Sequence, residues 1–111
     1  MKVSFIATVF NEERTINDFL KSIFQQSTLP DEMIIVDGGS SDWTIANIKN
    51  QISKIKKKEN RQTKFKVLVK KGNRSVGRNE AIKNTTGDII VCSDAGNILD
   101  EDWVKNIIEP F

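Results

Sequence analysis

The chain has 111 residues, 38% of them apolar and 29% charged, with two prolines and six glycines. That composition suits one globular domain spanning 1–111, with a single core, and not a disordered or fibrous chain. There is no histidine and one cysteine, which excludes an imidazole-activated nucleophile, a histidine base, histidine metal ligands, a disulfide framework and a cysteine-rich zinc cluster.

The net charge of +2 is unevenly spread. Residues 1–48 hold 3 Lys/Arg against 7 Asp/Glu, residues 49–78 hold 12 against 1, and residues 79–111 hold 2 against 7. No apolar stretch approaches the roughly 18 residues of a membrane span, and no signal-peptide pattern is recognisable. With one cysteine, which suits a reducing compartment, the expected location is cytoplasmic.

In chain order, Val3 to Val9 reads as a buried strand, bounded by the polar cluster Asn11, Glu12 and Glu13. Ile16, Phe19, Leu20, Ile23 and Phe24 form one helical stripe, with Asn11 as a cap upstream, and Pro30 ends that region. Met33 to Val36 is a second short strand, and the D-G-G-S-S-D run from Asp37 to Asp42 a polar turn. Ile45, Ile48, Ile52 and Ile55 mark a second helix, with Ser40 or Ser41 as its cap. Val67 to Val69 is the third strand, Ser75 to Asn84 a helix ending near Gly87, Ile89 to Cys92 the fourth strand, and Trp103 to Ile108 the face of a last helix.

Strands apolar on both faces and alternating with helices predict an α/β domain, a parallel sheet covered on each side. Ligands in such sheets sit at the carboxyl ends of the strands. The residues found there are Thr8, Phe10 and Asn11, then Asp37 with its glycines and serines, then Lys70 and Lys71, then Ser93 and Asp94. Acids, a basic pair and an aromatic on one edge suit an anionic ligand with a flat ring, such as a nucleotide; each is also an ordinary turn residue.

Four segments carry a resemblance. V-S-F-I-A-T-V-F-N-E-E at Val3 to Glu13 and I-I-V-D-G-G-S-S-D-W-T at Ile34 to Thr44 look like the start of a family 2 glycosyltransferase of the GT-A fold. S-V-G-R-N-E-A-I at Ser75 to Ile82 is similar to that family's segment ending in A-R-N, and G-D-I-I-V-C-S-D-A-G-N-I-L at Gly87 to Leu99 resembles its strand leading into D-x-D. The resemblance implies a Rossmann-like GT-A sheet of mainly parallel strands flanked by helices on both faces. It also implies transfer of a sugar, usually with inversion, from a nucleotide diphosphate sugar to an acceptor hydroxyl.

Carried onto this chain, the resemblance makes Thr8, Phe10, Asn11, Asp37, Arg78 and Asp94 the nucleotide-sugar-binding residues. Phe10 would stack on the base, the alternative being a staple onto the first helix. Asp37 matches the first acid of the family's D-D-G-S pattern, with Gly38 where a second acid often lies. Arg78 would sit over the nucleotide, or else pair with an acid such as Glu80 or Asp88. Asp94 matches the first acid of D-x-D and is the one candidate metal ligand, because Gly96 stands where the second acid belongs.

A magnesium or manganese ion is the expected cofactor, the diphosphate supplying further oxygens. The other possibility is a metal-free site that uses Lys70, Lys71 or Arg74 on the phosphates. A GT-A domain is about twice this length, so the chain reads as a truncated, donor-binding half. No catalytic base is assigned, since it is expected beyond Phe111. Asp100, Glu101 and Asp102 are accounted for as the acidic first turn of the last helix.

Two other functions compete: a nucleotide-binding module without catalysis, and a basic α/β domain that binds nucleic acid through residues 54–71. Nucleic acid is not the expected partner. The basic run from Lys54 to Lys71 could also touch the anionic cytoplasmic face of a membrane, or be a solvated helix end and turn. Cys92 reads as an inert core residue, and Trp43 and Trp103 as packing residues.

Overall fold

In the computed structural model, residues 1–59 and 63–111 are described, with the backbone alone for residues 56–59. Part of the basic run of the sequence therefore lies outside the described residues. Strands β1 (Val3–Val9), β2 (Glu32–Asp37), β3 (Lys64–Val69) and β4 (Ile89–Cys92) alternate with helices α1 (Ile16–Phe24), α2 (Thr44–Glu59), α3 (Arg74–Lys83) and α4 (Trp103–Ile108). The four strands form one sheet in the order β3-β2-β1-β4, all parallel.

Strand periodicity sorts the core into two layers. Val3, Phe5, Ala7 and Val9 of β1, with Met33 and Ile35 of β2, face α1, α2 and α4, where Ile16, Phe19, Leu20, Ile23, Ile48, Ile52 and Val104 are buried. Ile6, Ile34 and Val36 point to the other face and meet Ala81 of α3. Helices thus cover both faces, as expected for α/β. The central strands are buried on both sides and read as continuous apolar runs for that reason. In the aromatic core Phe5 meets Trp103 edge-on with ring centroids 5.8 Å apart, and Phe24 lies tilted against Phe65 at 5.3 Å. Burying each such side chain stabilises the fold by about 1.5–3 kcal/mol.

The edge strands depart from the sequence reading. Strand β3 begins at Lys64, not Val67, because its Lys64 and Lys66 are exposed while Phe65 packs inward; charged residues on an edge strand block pairing with another chain. On β4, Ile90 and Cys92 are exposed, so Cys92 is not a core residue: it lies on the face of this edge strand opposite the buried Val91. Trp103 packs as expected, but Trp43 is 70% exposed and contributes nothing to the core.

The caps also differ. Helix α1 is preceded by Thr15, without a side-chain cap bond, and α2 begins under Asp42, whose Oδ1 accepts the Thr44 N–H. Ser40 and Ser41 are drawn away by the turn before α2, and Asn11 is left-handed at φ 50 with its side chain turned to that same turn. Asp100 to Asp102 precede α4 instead of forming its first turn: Asp100 accepts the Asp102 N–H and Asp102 accepts the Ser27 hydroxyl.

Candidate functional site

The parallel register puts every strand's carboxyl end on one edge. The connections from β1 to β2 to β3 run one way across the sheet, whereas β4 lies on the other side of β1. The crevice outside such a reversal is where ligands bind in doubly wound sheets. Thr8 and Phe10 lie at the end of β1, Asp37 at the end of β2, and Asp94 two residues past β4, so the sheet gathers the residues named from sequence along one rim.

A cleft of about 440 Å³ opens on this rim, lined by Thr8, Val9, Phe10, Glu12, Val36, Gly38, Gly72, Asn73, Arg74 and Gly77. Its walls depend on close backbone approach. A Cβ on Gly77 would stand 2.8 Å from Thr8 Cγ2, and one on Gly72, at φ +149, would stand 2.8 Å from Val76 Cβ. Only glycine lets α3 lie this near β1 and lets the chain turn into α3 here. Asn73 then caps α3 by accepting the Val76 N–H. Phe10 is 57% exposed and its ring is free to meet a ligand, with Gly38 beside it.

Two loops behind the cleft are stitched into one unit. Asp37 is fully buried; its Oδ2 accepts the N–H groups of Gly39 and Ser40 at 2.9 and 2.7 Å, and its Oδ1 accepts the Ser40 hydroxyl. Gly39, at φ +102, supplies the left-handed turn. The Ser40 oxygen in turn accepts the Asn11 N–H at 2.8 Å, and Asn11 Oδ1 accepts the Ser41 N–H at 3.0 Å. Further along, Thr44 Oγ1 accepts the Glu12 N–H and donates to Asp42. Burial works against the Asp42 carboxylate, but bonds from the Thr44 hydroxyl, the Thr44 N–H and the Glu13 N–H outweigh it, so its pKa lies below the ordinary aspartate value.

On the β4 side, Arg78 donates to Asp94 Oδ1 at 3.3 Å and Arg74 stands 3.9 Å from its Oδ2. Arg78 therefore pairs with Asp94, and not with Glu80 or Asp88. Arg74 joins the two halves of the site, because it lines the cleft as well as flanking Asp94. Arg78 Nε is buried without a hydrogen-bond partner among the described residues.

Of the six residues named from sequence, the fold brings Thr8 and Phe10 into the cleft wall, sets Asn11 and Asp37 into the loop network behind it, and pairs Arg78 with Asp94 beside it. Gly72, Asn73 and Gly77 were missed as cleft residues. Their available signals were a G-N pair ahead of a helical pattern and a glycine inside one, which usually has a packing reason.

A divalent cation would find a poor donor set. Asp94 is flanked by two guanidinium groups, Gly96 has no side chain, and no group of three or more Asp, Glu, His or Cys side chains that could hold a metal occurs among the described residues. Magnesium in such sites takes one or two carboxylates beside substrate phosphates and water, and the one carboxylate at this position is engaged by two guanidinium groups, so the residues present do not fit the ion.

The family model for glycosyl transferase family 2 matches residues 4–111. The chain is 31% identical over 109 residues to a poly-beta-1,6-N-acetyl-D-glucosamine synthase of Staphylococcus epidermidis and 33% identical to one of Staphylococcus aureus. Each match covers 98% of this chain and 25% of the relative, so the chain spans about a quarter of the length of these curated relatives. Among solved structures, S. aureus TarS 1–349 in complex with UDP superposes with a TM-score of 0.79 at 23% identity, over 98% of this chain and 31% of that one. The mannosyltransferase PcManGT from Pyrobaculum calidifontis, in complex with GDP-Man and Mn2+, gives 0.85 at 23% identity, over 97% and 31%. A glucosyl-3-phosphoglycerate synthase from Mycobacterium tuberculosis with Mg2+ and UDP gives 0.66 at 23% identity, over 85% and 33%. These structures share the fold, and two of the three hold Mn2+ or Mg2+ beside the nucleotide.

Proposed function

Because the chain belongs to glycosyltransferase family 2, we propose that its cleft binds the nucleoside diphosphate of a sugar donor. The activity it serves, on this reading, is inverting transfer of the sugar to an acceptor hydroxyl. The observation that carries this is the meeting of Phe10, Thr8 and Arg74 in one cleft at the carboxyl edge of the sheet. An exposed aromatic ring gives the base a stacking surface, and a guanidinium within the same wall gives the phosphates a charge partner.

The roles follow from that arrangement. Phe10 faces the base, Thr8 lines the floor beneath α3, and the Asp37 and Asn11 network fixes the shape of the base end. Asp37 is fully buried and spends its carboxylate on two N–H groups and the Ser40 hydroxyl of its own turn, so it acts by holding that loop in place. Arg74, Arg78 and Asp94 lie on the phosphate side. As the sugar leaves, it gains oxocarbenium character and the diphosphate gains negative charge, which fixed cationic groups stabilise without reorganising. No base for the acceptor proton is assigned. The exposed Cys92 thiol suits a reducing compartment, and a cytoplasmic setting is part of this proposal.

The test is calorimetric titration of the chain with UDP and GDP, alongside Phe10→Ala. Phe10 is exposed, so the variant folds, and loss of a stacked base weakens binding by about 1–3 kcal/mol. Affinity unchanged in Phe10→Ala, or no binding of either nucleotide, rejects the reading.

A further inference from the structure

We propose that Arg74 and Arg78, held by Asp94, bind the diphosphate directly, and that nucleotide binding by this chain needs no divalent cation. The inference rests on the nucleotide reading above and adds how its charge is met. Three observations carry it.

The first is the geometry around Asp94. In D-x-D sites a carboxylate is offered to a cation, but here both Asp94 oxygens face guanidinium groups, Oδ1 toward Arg78 at 3.3 Å and Oδ2 toward Arg74 at 3.9 Å. A divalent ion placed on the same oxygens would meet two like charges at close range, and Gly96 supplies no second carboxylate to offset them.

The second is that these pairs are loose. The Asp94, Arg74 and Arg78 side chains are 48%, 67% and 43% exposed, and exposed pairs contribute only about 0–1 kcal/mol. Exchanging a carboxylate oxygen for a phosphate oxygen costs little, and the fork of a guanidinium matches phosphate geometry.

The third is placement. Arg74 lines the cleft that holds Phe10 and Thr8, so the cation reaches phosphates attached to a base stacked there; Arg78 stands one helical turn further on, outside the cleft lining, and shares Asp94 with Arg74. Lys70 and Lys71, the other basic residues near the rim, are not among the residues that line it; the Lys71 stem lies over Gly39 instead.

The experiment is calorimetric titration of the chain with UDP and GDP, in EDTA and in excess manganese, for the wild type, Arg74→Ala/Arg78→Ala, Asp94→Asn and Gly96→Asp. Circular dichroism checks folding; the arginines are half exposed, and a Cβ at Gly96 meets nothing within 4 Å. The expected result is wild-type affinity equal in EDTA and manganese, within about twofold, and lowered tenfold or more in the double arginine variant, as for lost charge-assisted bonds.

Asp94→Asn should change affinity by the same factor in both media, because Asp94 is a partner of the arginines that the phosphates displace; an ion ligand would lose affinity in manganese alone. Gly96→Asp, which restores the second acid, should gain manganese dependence that the wild type lacks. Wild-type binding that is lost in EDTA overturns this inference and leaves the nucleotide reading standing, as does binding that ignores the arginines. Binding of neither nucleotide in any medium removes both.

Discussion

Gly77 of α3 lies directly against Thr8 of β1: a Cβ on the glycine would stand 2.8 Å from the threonine Cγ2. A distance under 3 Å cannot be absorbed by Thr8, whose branched side chain is stiff and backed by the sheet. The contact therefore fixes how near α3 and its Arg74 and Arg78 stand to the end of β1. Gly77→Ala should push the helix outward and cost on the order of 1–3 kcal/mol of stability. Urea unfolding measures this, and Thr8→Ser in the same chain should recover part of the loss by removing the opposing methyl. Equal stability of Gly77→Ala and wild type would mean that the helix is not held by this contact.

Asp37 makes a second prediction, because its carboxylate is buried and bonded to three donors of its own turn. Removing it strands the Gly39 and Ser40 N–H groups and releases the Asn11 loop that Ser40 holds. Asp37→Ala should lose roughly 1–3 kcal/mol. Asp37→Asn should lose less, since its amide oxygen can accept the two N–H groups while the Ser40 hydroxyl turns to accept from the amide nitrogen. Chemical denaturation of the two variants side by side decides it, and an Asn variant as unstable as the Ala one would contradict this account.

Glu32, at the opposite end of the sheet, sets an acid limit on stability. Burial alone would raise its pKa, but bonds from the Ser4 hydroxyl, the Thr86 N–H and the Thr86 hydroxyl, with the Lys2 charge, outweigh burial and hold it below the ordinary glutamate value. A depressed folded-state pKa means that the unfolded chain binds protons first as pH falls. The stabilisation is then fully present above the unfolded value of about 4.3 and lost as pH drops through the lower folded value. Asp42, also depressed, adds to the same limb. Melting temperature should be flat near neutral pH and fall below about pH 4.3, with a shallower fall in Glu32→Gln. An identical acid limb in that variant would show that Glu32 does not contribute.

Local pattern alone located β1, β4 and α4 at their observed ends, since the two strands are short apolar runs between polar turns and Trp103, Val104, Ile107 and Ile108 fall at helical spacing. Strand β3 was read three residues too short because Lys64 and Lys66 look like loop until one sees that an edge strand can leave one side wet. The caps were misplaced for a related reason: Asn11, Ser40 and Ser41 are competent caps, and only the meeting of the β1 and β2 loops gives them other partners. Cys92 and Trp43 were read by residue type, whereas exposure depends on which neighbour covers them.

The amino-acid sequence by itself determined the αβ alternation, the family, the lack of imidazole chemistry and the glycine at position 96, because these depend on residue identity and spacing along the chain. Tertiary structure decided the strand order, the glycine-mediated approach of α3 to Thr8, the burial of Asp37 within its own turn and the union of Arg74, Arg78 and Asp94. Each of these joins residues from different elements, and side-chain partnerships at such a distance depend on packing geometry that no local spacing encodes.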